Sequence, residues 1–238
     1  MTPEQHLRSV REESARFAAA AEQAQARHGW RAPVPGCPDW DLADLVWHLG
    51  EVQHFWGWLL RTRATSPAGY PEPTRPAEEQ LLDFATERAH ELVDALTRAA
   101  PEDPVWTWAP QQDVGFVLRR QAQEATVHRV DAEQVLGERT PISAELGLDG
   151  IDEWLEVMVP GALPGGPPPG AEPVVLHAVD ADAERTLFPG TAQLPVATLT
   201  GTAGDLLLTA WRRAPLGQVT VDGDADRADA LFATVGLD

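Results

Sequence analysis

Apolar residues recur at helical spacing through four long stretches of the first 140 positions: Pro3–His28, Leu42–Thr62, Pro76–Ala99 and Gly115–Gly137. Ala, Leu, Glu, Gln and Arg dominate them, and moderate loops join them. This predicts a four-helix bundle, an architecture that builds sites between facing helices. The second stretch has the clearest start. Asp41 is placed as an N-cap, Asp44 sits three residues on as in a capping box, and Trp40 can staple onto Leu45. Trp106 and Trp108 alternate in the Pro101–Gln112 connection and suggest an extended piece packed over the bundle.

Past residue 140 the pattern changes. Leu148–Val159 reads as a helix and Pro160–Pro173 as a Pro/Gly-rich loop. Four β-rich runs follow, Val174–Val179, Arg185–Phe188, Ala197–Thr200 and Val219–Asp222. Between and after them lie two helices, Ala203–Arg213 with Thr202 as N-cap, and Ala225–Thr234. The expected class is therefore α+β: a helical bundle over residues 1–140, then a small α+β domain over 141–238.

Composition narrows the function. With 43% hydrophobic residues among 238, the chain can bury a core. A formal charge of −19 and the lack of any basic run argue against nucleic acid. No stretch approaches the ~20 apolar residues of a membrane span, and the first residues lack a signal-peptide layout, so a cytoplasmic location is expected. Cys37 is the single cysteine, which excludes an intrachain disulfide and a Cys-rich zinc site. Any metal must be held by His and carboxylates.

The fourth stretch breaks the binary pattern. At about 100° per residue with Glu124 at zero, Val117, Val135, Val114 and Ala132 fall between roughly 20° and 80°. His128 falls near 40°, Gln121 near 60° and Asp131 near 340°, within or beside that apolar arc. Arg129, Glu133 and Arg119 fall on a separate polar arc, and Gln123 points outward. In the second stretch, Leu45, Leu49, Val52, Phe55 and Leu59 form a seam that contains His48. Three polar side chains, His48, Glu124 and His128, thus project toward one core, where burial without partners is costly. A divalent metal would satisfy all three, and Zn²⁺ with two His and one carboxylate keeps a fourth position for water or substrate. A hydrogen-bonded Glu–His pair beside an unrelated core histidine is the competing reading.

Other residues are weaker candidates. His54 points toward solvent or a loop, and His6, His28, His90 and His177 read as surface residues. Cys37 reads as structural, while Trp47, Trp56 and Trp58 suit either core packing or a pocket mouth. Asp44 and Asp131 are each one turn from a candidate ligand histidine and suit orienting acceptors. Capping for Asp44, and a solvated edge for Asp131, are the alternatives. Arg212 and Arg213 close a helix, where cations complement the dipole, and an arginine there could also clamp a substrate carboxylate.

The run from Cys37 to Leu49 (CPDWDLADLVWHL) resembles the start of the second helix in the mycothiol-dependent maleylpyruvate isomerase family, part of the wider DinB-like group of metal-binding bundles. The run from Arg119 to Glu133 (RRQAQEATVHRVDAE) is similar to that family's fourth-helix motif, and Thr200–Leu208 to its C-terminal α+β domain. The resemblance implies a DinB-like four-helix bundle with His48, Glu124 and His128 as zinc ligands. It implies mycothiol as the thiol cofactor, its metal-bound thiolate attacking a small electrophile in an S-transferase or cis–trans isomerase reaction. It also implies an arginine of the second domain on a substrate carboxylate, with Arg212 the first choice and Arg213 its neighbour. The expected partners are therefore a small-molecule thiol and an electrophilic substrate, with no nucleic acid or membrane, in a monomer or homodimer. A metal hydrolase or lyase using metal-bound water, and a non-catalytic metal- or small-molecule-binding module, stand as alternatives.

Overall fold

The structure is a computed structural model that describes residues 1–190 and 194–235. The chain divides into two compact units, Met1–Thr140 and Pro141–Asp238.

Four long helices build the first unit: α1 (Pro3–His28), α2 (Leu42–Thr62), α3 (Leu81–Arg98) and α4 (Val114–Val135). Each start follows from local chemistry. Thr2 and Gln5 form a capping box on α1, and Asp41 and Asp44 form the expected one on α2. Asp113 accepts the Phe116 N–H at the head of α4. A short hairpin that the apolar pattern did not indicate, β1 (Pro33–Val34) with β2 (Cys37–Asp41), delivers the chain into α2. Its two strands total too few residues to show alternation. Phe17, Leu42, Leu45, Leu49 and Leu81 pack at the centre of the bundle core. The 101–112 connection folds back on itself, with Thr107 and Gln112 hydrogen-bonded to each other and Trp106 N–H donating to Ala64 O at 3.0 Å.

The expected polar arc of α4 is not a solvated face. Arg129 is fully buried; its Nε donates to Glu13 of α1 at 2.8 Å and its Nη1 to Glu133 at 2.8 Å. The same Nη1 lies 2.9 Å from Thr140 O, while Thr140 donates its N–H and hydroxyl to Glu133. Gln123, expected to point outward, is buried as well. A single-helix wheel cannot show that α1 supplies the countercharge. His6, expected at the surface, is also buried, because it shares the inward face of α1 with Val10, Glu13 and Phe17.

In the second unit, α5 (Ala144–Glu153) runs through a π turn, Trp154–Met158, into the short α6 (Val159–Ala162). A four-stranded sheet follows in the order β4 (Ala183–Leu187), β3 (Val174–Ala178), β5 (Ala197–Gly201), β6 (Thr220–Gly223). β3 pairs antiparallel with β4 and parallel with β5, and β5 pairs antiparallel with β6. Helix α7 (Ala203–Ala210), capped by Thr202, packs on the sheet, and α5 packs on α7. That contact is close because Gly147 lacks a side chain: a Cβ there would sit 2.7 Å from the backbone of Ala203 and Gly204. Helix α8 (Ala225–Ala233) completes the unit. Helices and small sheets together make the α+β class that the sequence predicts.

Removing the Arg129 guanidinium would leave the carboxylates of Glu13 and Glu133 to the half-exposed Arg16, 2.7 Å from Glu13 and 3.8 Å from Glu133, and would take away their buried countercharge. Arg129→Met is therefore expected to lower stability by about 3 kcal/mol. Urea unfolding followed by tryptophan fluorescence measures it, and a loss below about 1 kcal/mol would show that water reaches these carboxylates.

Candidate metal centre

The seam of α2 and the inward face of α4 bring His48, Glu124 and His128 together. Glu124 Oε1 lies 3.2 Å from His48 Nε2 and 3.3 Å from His128 Nε2. One donor atom from each residue falls within 4.8 Å of the others. The two imidazoles meet edge to face at 5.0 Å. The Trp40 ring, at the end of β2, lies 4.7 Å from the His48 ring and 6.1 Å from that of His128. His48 is the most accessible of the three, with 32% of its side chain exposed against 7% for His128.

Support around the trio orients these donors. His128 Nδ1–H donates to Asp131 Oδ2 at 2.9 Å, which directs Nε2 at Glu124. Asp131 is fully buried, so the solvated-edge reading gives way to the orienting one. The physical reason is β2, which places Cys37 Sγ 3.8 Å from the same carboxylate oxygen. Arg120 Nη2 donates to Glu124 Oε2 at 2.9 Å, leaving Oε1 as the oxygen shared with both imidazoles. Arg120 is a site residue that the apolar pattern does not single out, although its i, i+4 spacing to Glu124 is a recognised pairing signal. Asp44 serves the capping box and pairs with Arg75 at 2.7 Å, so its role is capping. His54 turns to the 63–77 loop and meets the Tyr70 hydroxyl at 2.7 Å.

Electrostatics follow from this packing. Burial alone would push the Glu124 carboxyl up. The charge of His128, hydrogen bonds from His128 and His48, and the charge of Arg120 outweigh burial and hold it well below the ordinary carboxylate value. Burial would likewise lower His128, but the charge of Glu124 and the Asp131 hydrogen bond raise it to about 9. Two Nε2 atoms and one carboxylate oxygen facing a common point are a nitrogen–oxygen donor set that suits a divalent cation. An acceptor behind the His128 ring is the support such ligands use. The residues fit the group.

Arg212 and Arg213 belong to the second unit and lie beyond the end of α7, which stops at Ala210 rather than Arg213. Arg212 takes a left-handed backbone, φ 56°, and pairs with Asp229 at 3.2 Å on the surface. Arg213 donates to Trp211 O at 3.1 Å.

Fold and donor set together define a helical-bundle protein with a His–Glu–His cluster, joined to an α+β unit. Residues 7–133 match the family model of the mycothiol maleylpyruvate isomerase N-terminal domain, and residues 145–230 match that of the corresponding C-terminal domain. The chain belongs to this family. Solved structures of the mycothiol-dependent maleylpyruvate isomerase and of a point mutant of it are similar, with TM-scores of 0.63 and 0.64. Each is 13% identical, covering 94% of this chain and 95% of that one. No curated protein matches the sequence. No helix among the described residues is long and apolar enough to cross a membrane.

Two outcomes test the centre. In metal-free protein the raised His128 contributes stability that is complete below about 6.5 and fades as pH rises through about 9. The depressed Glu124 contributes above its ordinary 4.5 and fades as pH falls below it. Chelator-treated protein should therefore show its highest Tm between those two ordinary values and a decline toward alkaline pH. His128→Gln should flatten that decline; a wild-type Tm independent of pH would contradict the charged pair. Separately, Asp131→Ala should weaken zinc binding about 10- to 100-fold by competition titration, with the helical circular dichroism retained. Unchanged affinity would remove Asp131 from the centre.

Proposed function

We propose that this chain is a zinc-dependent, mycothiol-using enzyme that promotes attack of the thiol on a small electrophile, as a cis–trans isomerase or an S-transferase. The convergence of His48, Glu124 and His128 in a chain of the mycothiol maleylpyruvate isomerase family carries this reading. His48 Nε2, Glu124 Oε1 and His128 Nε2 are the atoms that would hold the cation. When bound, a divalent cation lowers the pKa of a thiol so that it is deprotonated near neutral pH.

The residues around the trio prepare it for that task. Asp131 keeps the His128 proton on Nδ1 and leaves Nε2 as the donor. Arg120 pairs with Glu124 Oε2, and its charge adds to the larger effect of His128 in keeping the carboxylate ionised. The Trp40 ring lies against both imidazole rings on one flank. In the second unit, Arg212 is the residue we assign to a substrate carboxylate. Its guanidinium is half-exposed, and a surface ion pair such as the one with Asp229 is worth at most about 1 kcal/mol, so it exchanges readily.

Activity is measured on zinc-reconstituted protein with mycothiol and maleylpyruvate, beside a panel of simpler electrophiles. Turnover that requires mycothiol is expected; hydrolysis without any thiol would support metal-bound water instead and overturn the proposal. His128→Ala should lose zinc on dialysis while remaining folded, and retention of one zinc per chain would refute the ligand assignment. Arg212→Ala should raise KM for a carboxylate substrate with zinc content unchanged, and unaltered kinetics would return Arg212 to a surface role.

A further inference from the structure

We infer that the helical unit carries a second small-molecule site, lined by none of the three cluster residues, that accepts a neutral, amide-bearing apolar compound. A cavity of about 530 Å³ opens between α1, α2 and α3. It exists because the facing helices present methyl groups where larger side chains would fill the space: Ala15 and Ala18 on α1, Ala85 and Ala89 on α3. Its size lies within the range of pockets that hold small organic ligands, roughly 300–1,000 Å³.

The polar groups in its wall define the ligand. Gln53 of α2 lines the cavity yet is only 1% exposed, and Ser14 of α1 is buried beside it. Gln53 Nε2 donates to Ser14 Oγ at 2.9 Å. Among the described residues this is the one hydrogen bond that either side chain makes. The Ser14 hydroxyl proton and the Gln53 carbonyl oxygen are left over, an adjacent donor and acceptor in a wall that also includes Thr86 and His90. A primary carboxamide has the matching pair on one edge: its carbonyl accepts from Ser14 and its syn N–H donates to the Gln53 oxygen. At that pair a carboxylate meets a single donor and would face the Gln53 oxygen. Arg11 and Asp94 both line the cavity as well, so its charge is mixed and favours neither ionic class. The apolar body of the ligand would cover the alanine faces and Leu49.

The test uses the full chain and three probes: 4-butylbenzamide, a primary amide, with butylbenzene and benzoate. Backbone amide resonances of Ala15, Ala85 and Ala89 should shift on adding the amide. The amide should bind about tenfold more tightly than the hydrocarbon, as one or two net hydrogen bonds allow. Gln53→Leu should erase that preference, and Ala89→Leu, which fills the cavity, should abolish binding of both neutral probes. Neither change should alter zinc content. Absence of shifts at millimolar amide, equal affinity for amide and hydrocarbon, or tighter binding of benzoate would each overturn the proposal.

Discussion

Charged and polar side chains buried along α4 must find partners, and much of the first unit is arranged to supply them. Arg120, Glu124, His128, Arg129, Asp131 and Glu133 all lie on one helix and are all largely withdrawn from water. A lone charge in such a setting costs several kcal/mol, so each of these residues constrains its neighbours. Toward α1 the demand is met by Glu13, which closes on Arg129. Toward α2 it is met by His48, which closes on Glu124. The same requirement therefore locks the bundle together on one side and assembles the candidate centre on the other.

The two sides differ in what they leave over. Around Arg129, the carboxylates of Glu13 and Glu133 and the Thr140 hydroxyl and carbonyl are organic partners that complete one another. Around Glu124 two imidazoles crowd one carboxylate oxygen, an arrangement held in metal-free protein by protons on nitrogen. A divalent cation held there would replace those protons, because binding such an ion and releasing protons are linked. Trp40 and Asp131 hold the rings in place on either exchange. Helix α2 enters at the right angle because its capping box and the β1–β2 hairpin set where the first turn begins.

Much of this was legible before any coordinates. Period-3.6 patterning located the four helices and the period-2 runs located the sheet strands, since burial of one face imposes those spacings. The boundary of α7 was misjudged: leucine and alanine periodicity ends at Ala210, but a helix wheel does not register that Arg212 turns left-handed. His48, Glu124 and His128 stood out because polar residues on apolar arcs violate the pattern. Arg120 did not, since an i, i+4 Arg–Glu pair looks the same in sequence whether it lies on a solvated face or against a buried cluster.

What the chain's order of residues determined alone was therefore periodic and local: element type, caps, the helix faces that turn inward, and the three polar intrusions upon them. Only tertiary packing decided which partner each intruding group meets. Glu13 and Arg129 are 116 positions apart, and His48 and Glu124 are 76 apart. Pairing at such separations depends on how helices approach one another, and periodicity within one helix carries no information about its neighbour. The buried state of Asp131, the shared oxygen of Glu124 and the alanine-lined cavity beside Gln53 all arise at that level.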